Sequence, residues 1–180
     1  MIGWFLRWLQ ALVDLAFRLA GQLVAGIFGG LAAPVGAVVV RSGGAAEVVD
    51  VRHRVLREGL PRETAIFAGD DLGRHWVAAQ GARVVGVVSV IAAPMPDPPP
   101  EASPVPAHQL RGMAVLPDFR GQHLGEQLLE ATHRDVAQPM WCNARIGVVG
   151  FYAAHGWRAV GGTFEVPHAG AHQRMWWAGP

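Results

Sequence analysis

One turn limits this chain more than any other feature. His108–Leu116 (HQLRGMAVL) reads as a strand closed by Pro117-Asp118. The run Arg120-Gly121-Gln122-His123-Leu124-Gly125 then leads into the best helical pattern of the chain, Phe119 to about Val136, with Leu124, Leu128-Leu129 and Thr132 on one face. A glycine-rich turn between a strand and a helix start points outward several N–H groups that no carbonyl inside the helix can take. The helix dipole adds positive potential at the same place. That is an anion site, and a pyrophosphate is its natural guest. The turn is not a P-loop, because no Gly-Lys-Ser/Thr follows. Nor is it the dinucleotide fingerprint, whose glycine spacing differs and whose ribose-binding acid is missing.

The elements around the turn fix the fold class. Val35–Val40 is a β-branched run, and Ser42 is placed to cap a helix carrying Ala46, Val49, Val51 and Val55-Leu56 until Gly59 and Pro61 stop it. His75–Ala79 and Arg83–Ile91 form a hairpin about Gln80-Gly81. Residues 93–106 are too rich in proline to join a sheet and predict a stiff extended connection. After the turn and its helix come a strand at Met140–Ala144, a helix from Ile146 to His155, and strands near 157–166 and 172–177. Helices alternate with strands in the middle and hairpins flank them. The expectation is an α+β (mixed α/β) domain with a mixed sheet of six to seven strands flanked by helices.

A chain of 180 residues suits one domain of this kind. Net charge is +1, from 15 basic and 14 acidic side chains, which leaves no field to attract nucleic acid. A single cysteine, Cys142, excludes an intramolecular disulfide and leaves no cysteine cluster for zinc, and no metal site is expected. A reducing cytoplasm is the default compartment. Residues 1–33 stand apart from the domain at 34–180. They are strongly apolar, and their polar stripe of Arg7, Gln10, Asp14, Arg18 and Gln22 falls on one face of a helix. Three readings stay open: a helix lying on a membrane surface, a helix packed on the domain or on a second copy as a homodimer, and a start codon placed too far upstream.

At this point the sequence resembles a known family. Leu110–Leu129 is similar to the acetyl-CoA-binding motif of the GNAT superfamily of N-acetyltransferases, bacterial branch. Trp141–Arg145, the Gly150-Phe-Tyr-Ala-Ala-His-Gly-Trp157 run, and the segments Gly162–His168 and His172–Met175 resemble that superfamily's later strands and helix end, in order. Upstream, Arg52–Arg57, Gly69-Asp-Asp71 and His75 resemble its opening helix and loop, so the likeness covers about residues 35–178. The one departure within the motif is His123, which stands where a glycine is usual. Its amide serves equally well if its φ is ordinary.

The resemblance implies a GNAT fold and transfer of acetyl from acetyl-CoA to a small-molecule or protein amine, by direct attack and without a metal. It places the pantetheine arm along Met113, Ala114 and Val115, with Asn143 beside it. It places the pyrophosphate on Arg120, Gly121, Gln122, His123, Leu124 and Gly125. Tyr152, the one tyrosine of the chain, falls where the family often puts the acid that protonates the leaving thiolate. For the base that frees the amine, Glu47, Asp70, Asp71, His75 and His108 are all candidates, and His75 is preferred because it opens a strand beside the loop expected to border the acceptor. Two other functions remain in view: a non-catalytic acyl-CoA sensor, and a membrane-associated module acting on a protein partner.

Overall fold

The computed structural model describes residues 36–180, and the helix expected over 1–33 lies outside the described residues. The valine-rich runs pair by antiparallel neighbours: β1 (Val38–Gly43), β2 (Arg74–Gln80), β3 (Arg83–Ala92) and β4 (His108–Val115). On the other side, β5 (Met140–Arg145) pairs with β7 (Gly170–Trp177), which pairs with β6 (Arg158–Val166). The two halves meet where β4 runs parallel to β5. The sheet therefore has seven strands, in the order β1-β2-β3-β4-β5-β7-β6.

Three helices occur among the described residues: α1 (Ala45–Leu56), α2 (Leu124–Val136) and α3 (Val149–Ala154). They cover both faces of the sheet. Arg52 of α1 reaches Ser89 of β3 on one face, while Leu128 of α2 lies 3.1 Å from where a Cβ on Gly86 of the same strand would stand. This explains why β3 is a continuous apolar run and not an alternating one: both of its faces are buried. The proline-rich connection is held against the sheet. Trp141 Nε1 donates to Ala93 O at 2.7 Å, and Met95 and Ala102 pack on Trp141 and Trp176.

Element boundaries differ from expectation for local reasons. The first strand runs through Arg41 and Ser42 to Gly43, all paired with β2, so Ser42 does not cap α1. The cap is made from the other direction: the Gly44 N–H donates to the Glu47 carboxylate at 2.9 Å, and the Glu47 N–H donates to Gly44 O. The helix expected from Phe119 begins at Leu124 instead. Pro117–Phe119 is a separate 3-10 turn, and Gly121 (φ 74°) and His123 (φ 58°) adopt left-handed backbone that a right-handed helix cannot contain.

Candidate active site

The site begins with a bulge in β4. Ser89 faces Arg111 and Val87 faces Ala114, so β4 carries one residue more than β3 over this stretch. Gly112, at φ 60°, absorbs it. Its hydrogen-only face lies on the Arg52 guanidinium, and a Cβ there would stand 2.8 Å from Arg52 Cζ. A bulged strand bends, and β4 parts from β5 after only two pairs, His108 with Met140 and Gln109 with Trp141. The splay opens a gap through the middle of the sheet.

Main-chain groups of β4 edge that gap. The Leu116 N–H donates to Val85 O of β3 at 2.8 Å. Strand alternation then turns the N–H of Ala114 toward β3 and those of Val115 and Met113 toward the gap. A cleft of about 720 Å³ forms here and is lined from both faces of the sheet. On the α2 and α3 face stand Gly121, His123, Gly125 and Tyr152; on the α1 face stand Arg57, Phe67, Arg145 and His172.

At the α2 end, the Arg120 N–H donates to Pro117 O and the Gln127 N–H to His123 O. Among the described residues the amides of Gly121 to Glu126 between them have no acceptor. These groups, with the helix dipole behind them, fit an oxyanion. Of the residues expected to bind the donor, Met113, Ala114, Val115, Arg120, Gly121, His123, Leu124, Gly125 and Asn143 line the cleft, and Gln122 does not. The expectation that φ at His123 could be ordinary is corrected: the residue is left-handed, which costs a side-chain-bearing residue about 1 kcal/mol or more. Its ring is 74% exposed and bonds Glu126 Oε2 at 2.6 Å, so it turns toward the helix surface.

Tyr152 is packed edge-on against Phe151 and Trp157, and its hydroxyl meets Met113 Sδ at 3.5 Å. Burial, helped by the neighbouring Cys142, pushes its phenol well above the usual range, so the hydroxyl keeps its proton. Burial likewise pushes the Cys142 thiol upward, which removes it as a nucleophile.

His75 is not brought to this cleft. It is buried with Nδ1 against Ser89 Oγ at 2.5 Å and Nε2 against Asp70 O at 2.8 Å, so neither nitrogen faces the gap. It belongs to a buried polar network. Arg52 Nη1 meets Asp70 at 2.6 Å, Arg111 meets the other Asp70 oxygen at 2.9 Å, and Arg52 Nη2 donates to Ser89 Oγ. Burial works against the Asp70 charge, but its bonds to Arg52, the Phe67 N–H and Arg111 prevail and hold the carboxyl below its ordinary range. Glu47 pairs with Arg41 at the start of α1 (2.6 Å), and neither it nor Asp71 nor His108 lines the cleft.

Sequence reasoning passed over His172. Among lining residues the imidazoles and carboxylates are His123, Glu126 and His172, and the first two bond each other at the turn. His172 Nδ1 lies 2.7 Å from Gly170 O. A carbonyl only accepts, so Nδ1 carries a hydrogen, and in the neutral tautomer this leaves the lone pair on Nε2. Its sequence neighbours do not mark this residue as a base. It reaches the cleft through the β5–β7 register, which sets it opposite Arg145.

A family profile described as "Acetyltransferase (GNAT) domain" matches residues 71–159. The Bacillus subtilis (strain 168) protein described as "Uncharacterized N-acetyltransferase YitI" is 32% identical over 139 residues, covering 89% of that protein and 72% of this chain. Among solved structures, an acyl-CoA N-acyltransferase from Pseudomonas aeruginosa superposes with a TM-score of 0.61 at 16% identity, over 79% of this chain and 100% of that one. An aminoglycoside 6'-N-acetyltransferase complexed with coenzyme A gives 0.58 at 12% identity, over 78% and 96%. The chain belongs to the GNAT family of N-acetyltransferases and is an acyltransferase.

Proposed function

We propose that this enzyme moves acetyl from acetyl-CoA to a primary amine by direct attack on the thioester. The observation that carries this reading is the joining of a free-amide cradle and a protonated tyrosine in one cleft that passes through the sheet. The amides of Gly121 to Glu126 receive the pyrophosphate. The pantetheine arm lies in the gap against the N–H groups of Met113 and Val115, with Asn143 across from them. The bound coenzyme A of the structural neighbour supports this donor.

The amine enters from the α1 face. A primary amine with a pKa of about 10.4 is mostly protonated at neutral pH, so a base must free its lone pair. His172 Nε2 takes that role here, in place of His75. The amine nitrogen bonds the carbonyl carbon, the developing oxyanion is met by strand N–H groups, and the C–S bond breaks. The amine gives up two protons: His172 takes the first and so frees the lone pair, and the second leaves the tetrahedral nitrogen for solvent, while the Tyr152 hydroxyl gives its proton to the departing sulfur and is reprotonated from solvent. Holding both reactants along one gap supplies much of the rate.

The test is Tyr152→Phe, which keeps the ring packing and removes the proton. Thiol release with a panel of amines should slow by about a hundredfold or more if the hydroxyl is the acid, while acetyl-CoA binding persists. An unchanged rate would remove Tyr152 from the mechanism. Binding of acetyl-CoA without turnover on any amine would mark the protein as an acyl-CoA sensor.

A further inference from the structure

The α1-facing end of the cleft carries a charge pattern that acetyl transfer does not use. Arg57, at the C-terminus of α1, and Arg145, at the end of β5, both line it. Each donates one hydrogen bond to the same acceptor, the Leu56 carbonyl, at 2.9 and 3.1 Å. Neither meets a carboxylate: among the described residues no ion pair includes Arg57 or Arg145, and Glu58, next in the chain, pairs with neither. Phe67 forms the floor between them and the buried network, with the Arg57 guanidinium over its ring at 5.2 Å and those of Arg52 and Arg111 at 4.4 and 5.5 Å. Asp70 is already shared by Arg52 and Arg111, so it offers Arg57 and Arg145 nothing. Burial, then the Arg145 charge, makes the protonated form of Arg57 harder to keep.

Two guanidiniums that converge on one carbonyl, in a concave wall and without a counter-ion, are arranged to take an oxyanion. The wall also holds His172, directly opposite Arg145 in the sheet, so an anion bound there lies close to the base that frees the amine. The space is limited, since the whole cleft is about 720 Å³ and its other half serves the donor.

Resting on the donor reading above, we infer that the acceptor is a small amine bearing its own carboxylate or phosphate, clamped by Arg57 and Arg145 so that the amino group meets His172 and the thioester. A neutral amine would leave the two charges uncompensated, and an amine with a second positive charge would be repelled.

Matched pairs test this. Initial rates of acetyl transfer are compared for 4-aminobutyrate against n-butylamine and L-leucine against 3-methylbutylamine as the carboxylate arm, and O-phosphoethanolamine against ethanolamine as the phosphate arm. In at least one arm the anionic member should show kcat/KM about ten- to a hundredfold higher, the worth of a charge-assisted contact. Arg145→Gln and, separately, Arg57→Gln should shrink that ratio toward one through KM, and Arg145→Lys should restore part of it. Acetyl-CoA affinity is measured by calorimetry alongside. If acetyl-CoA binds and acetyl moves, but neutral amines or an uncharged peptide N-terminus are used as well as every anionic amine, this inference falls alone. If acetyl-CoA does not bind at all, the donor reading falls and takes this one with it.

Discussion

Gly112→Ala is the substitution whose cost the structure defines best. At φ 60° any L-residue other than glycine pays about 1–2 kcal/mol for the left-handed backbone. The new methyl would also stand 2.8 Å from Arg52 Cζ, with no open direction, since Arg52 is fully buried and bonded to Asp70 and Ser89. Breaking a buried ion pair costs about 3–5 kcal/mol, and displacing Arg52 sacrifices part of that. The sum is about 3–5 kcal/mol, a large share of the stability of an ordinary domain. At about 2–4 °C per kcal/mol for a domain of this size, the melting temperature should fall by about 6–20 °C. Gly121→Ala is the control: φ is 74°, but nothing lies within 4 Å of the added Cβ, so it bears the backbone cost alone, about 1–2 kcal/mol. Thermal melts followed by circular dichroism, with urea midpoints as a second measure, compare the two. If Gly112→Ala loses no more than Gly121→Ala, the crowding of Arg52 against the β4 bulge is wrong.

Three further expectations follow from single sites. His133 lies between Trp177 and Trp157, at ring centroid distances of 3.9 and 5.9 Å, and accepts the Trp157 indole N–H. Burial, and then the charge of His155, depress its pKa from 6.5 to about 4. The unfolded chain therefore binds the extra proton first on acidification, and the stabilisation from His133 is complete above pH 6.5 and lost as pH falls toward 4. Urea midpoints between those pH values should drop more steeply for the native protein than for His133→Asn, and parallel slopes would refute this. At the turn, His123→Gly should leave stability within about 1 kcal/mol, because relief of the left-handed strain is set against a looser unfolded chain, while His123→Val should cost about 2 kcal/mol and weaken acetyl-CoA binding; equal behaviour of the two would contradict the observed φ. For His172→Gln, turnover should be low at neutral pH and recover as pH rises toward the amine's own pKa of about 10.4, where the amine needs no base. A loss that stays constant with pH would assign His172 a structural role.

The parts of this protein legible in sequence are those whose signal is local. The strand, glycine turn and helix from His108 to Val136 are legible as elements because apolar periodicity and glycine placement are properties of neighbouring residues. The mixed sheet is legible for the same reason, through its valine runs and turns. The misreadings arise where distant segments decide. His75 opens a strand beside a loop, as expected of a base at the acceptor site, yet Ser89 and the Asp70 carbonyl occupy both of its nitrogens. Its partnership with Arg52 and Arg111 crosses four elements and leaves no periodic trace. His172 reaches the cleft only by its register against Arg145. Arg57 and Arg145 meet at Leu56 O, which lies 89 residues before Arg145. The sign of φ at His123 is hidden for a different reason: the residue type usually marks that backbone, and here the side chain masks it.

The central claim is that the amides of Gly121 to Glu126 hold the pyrophosphate of acetyl-CoA. Calorimetric titration of the protein with acetyl-CoA and with S-acetylpantetheine, which shares the thioester arm and lacks the pyrophosphate, tests it most directly. One acetyl-CoA should bind per chain, with acetylpantetheine bound at least about a hundredfold more weakly, given the strength of charge-assisted contacts to backbone N–H groups. Equal affinity for the two, or no binding of acetyl-CoA, would contradict it.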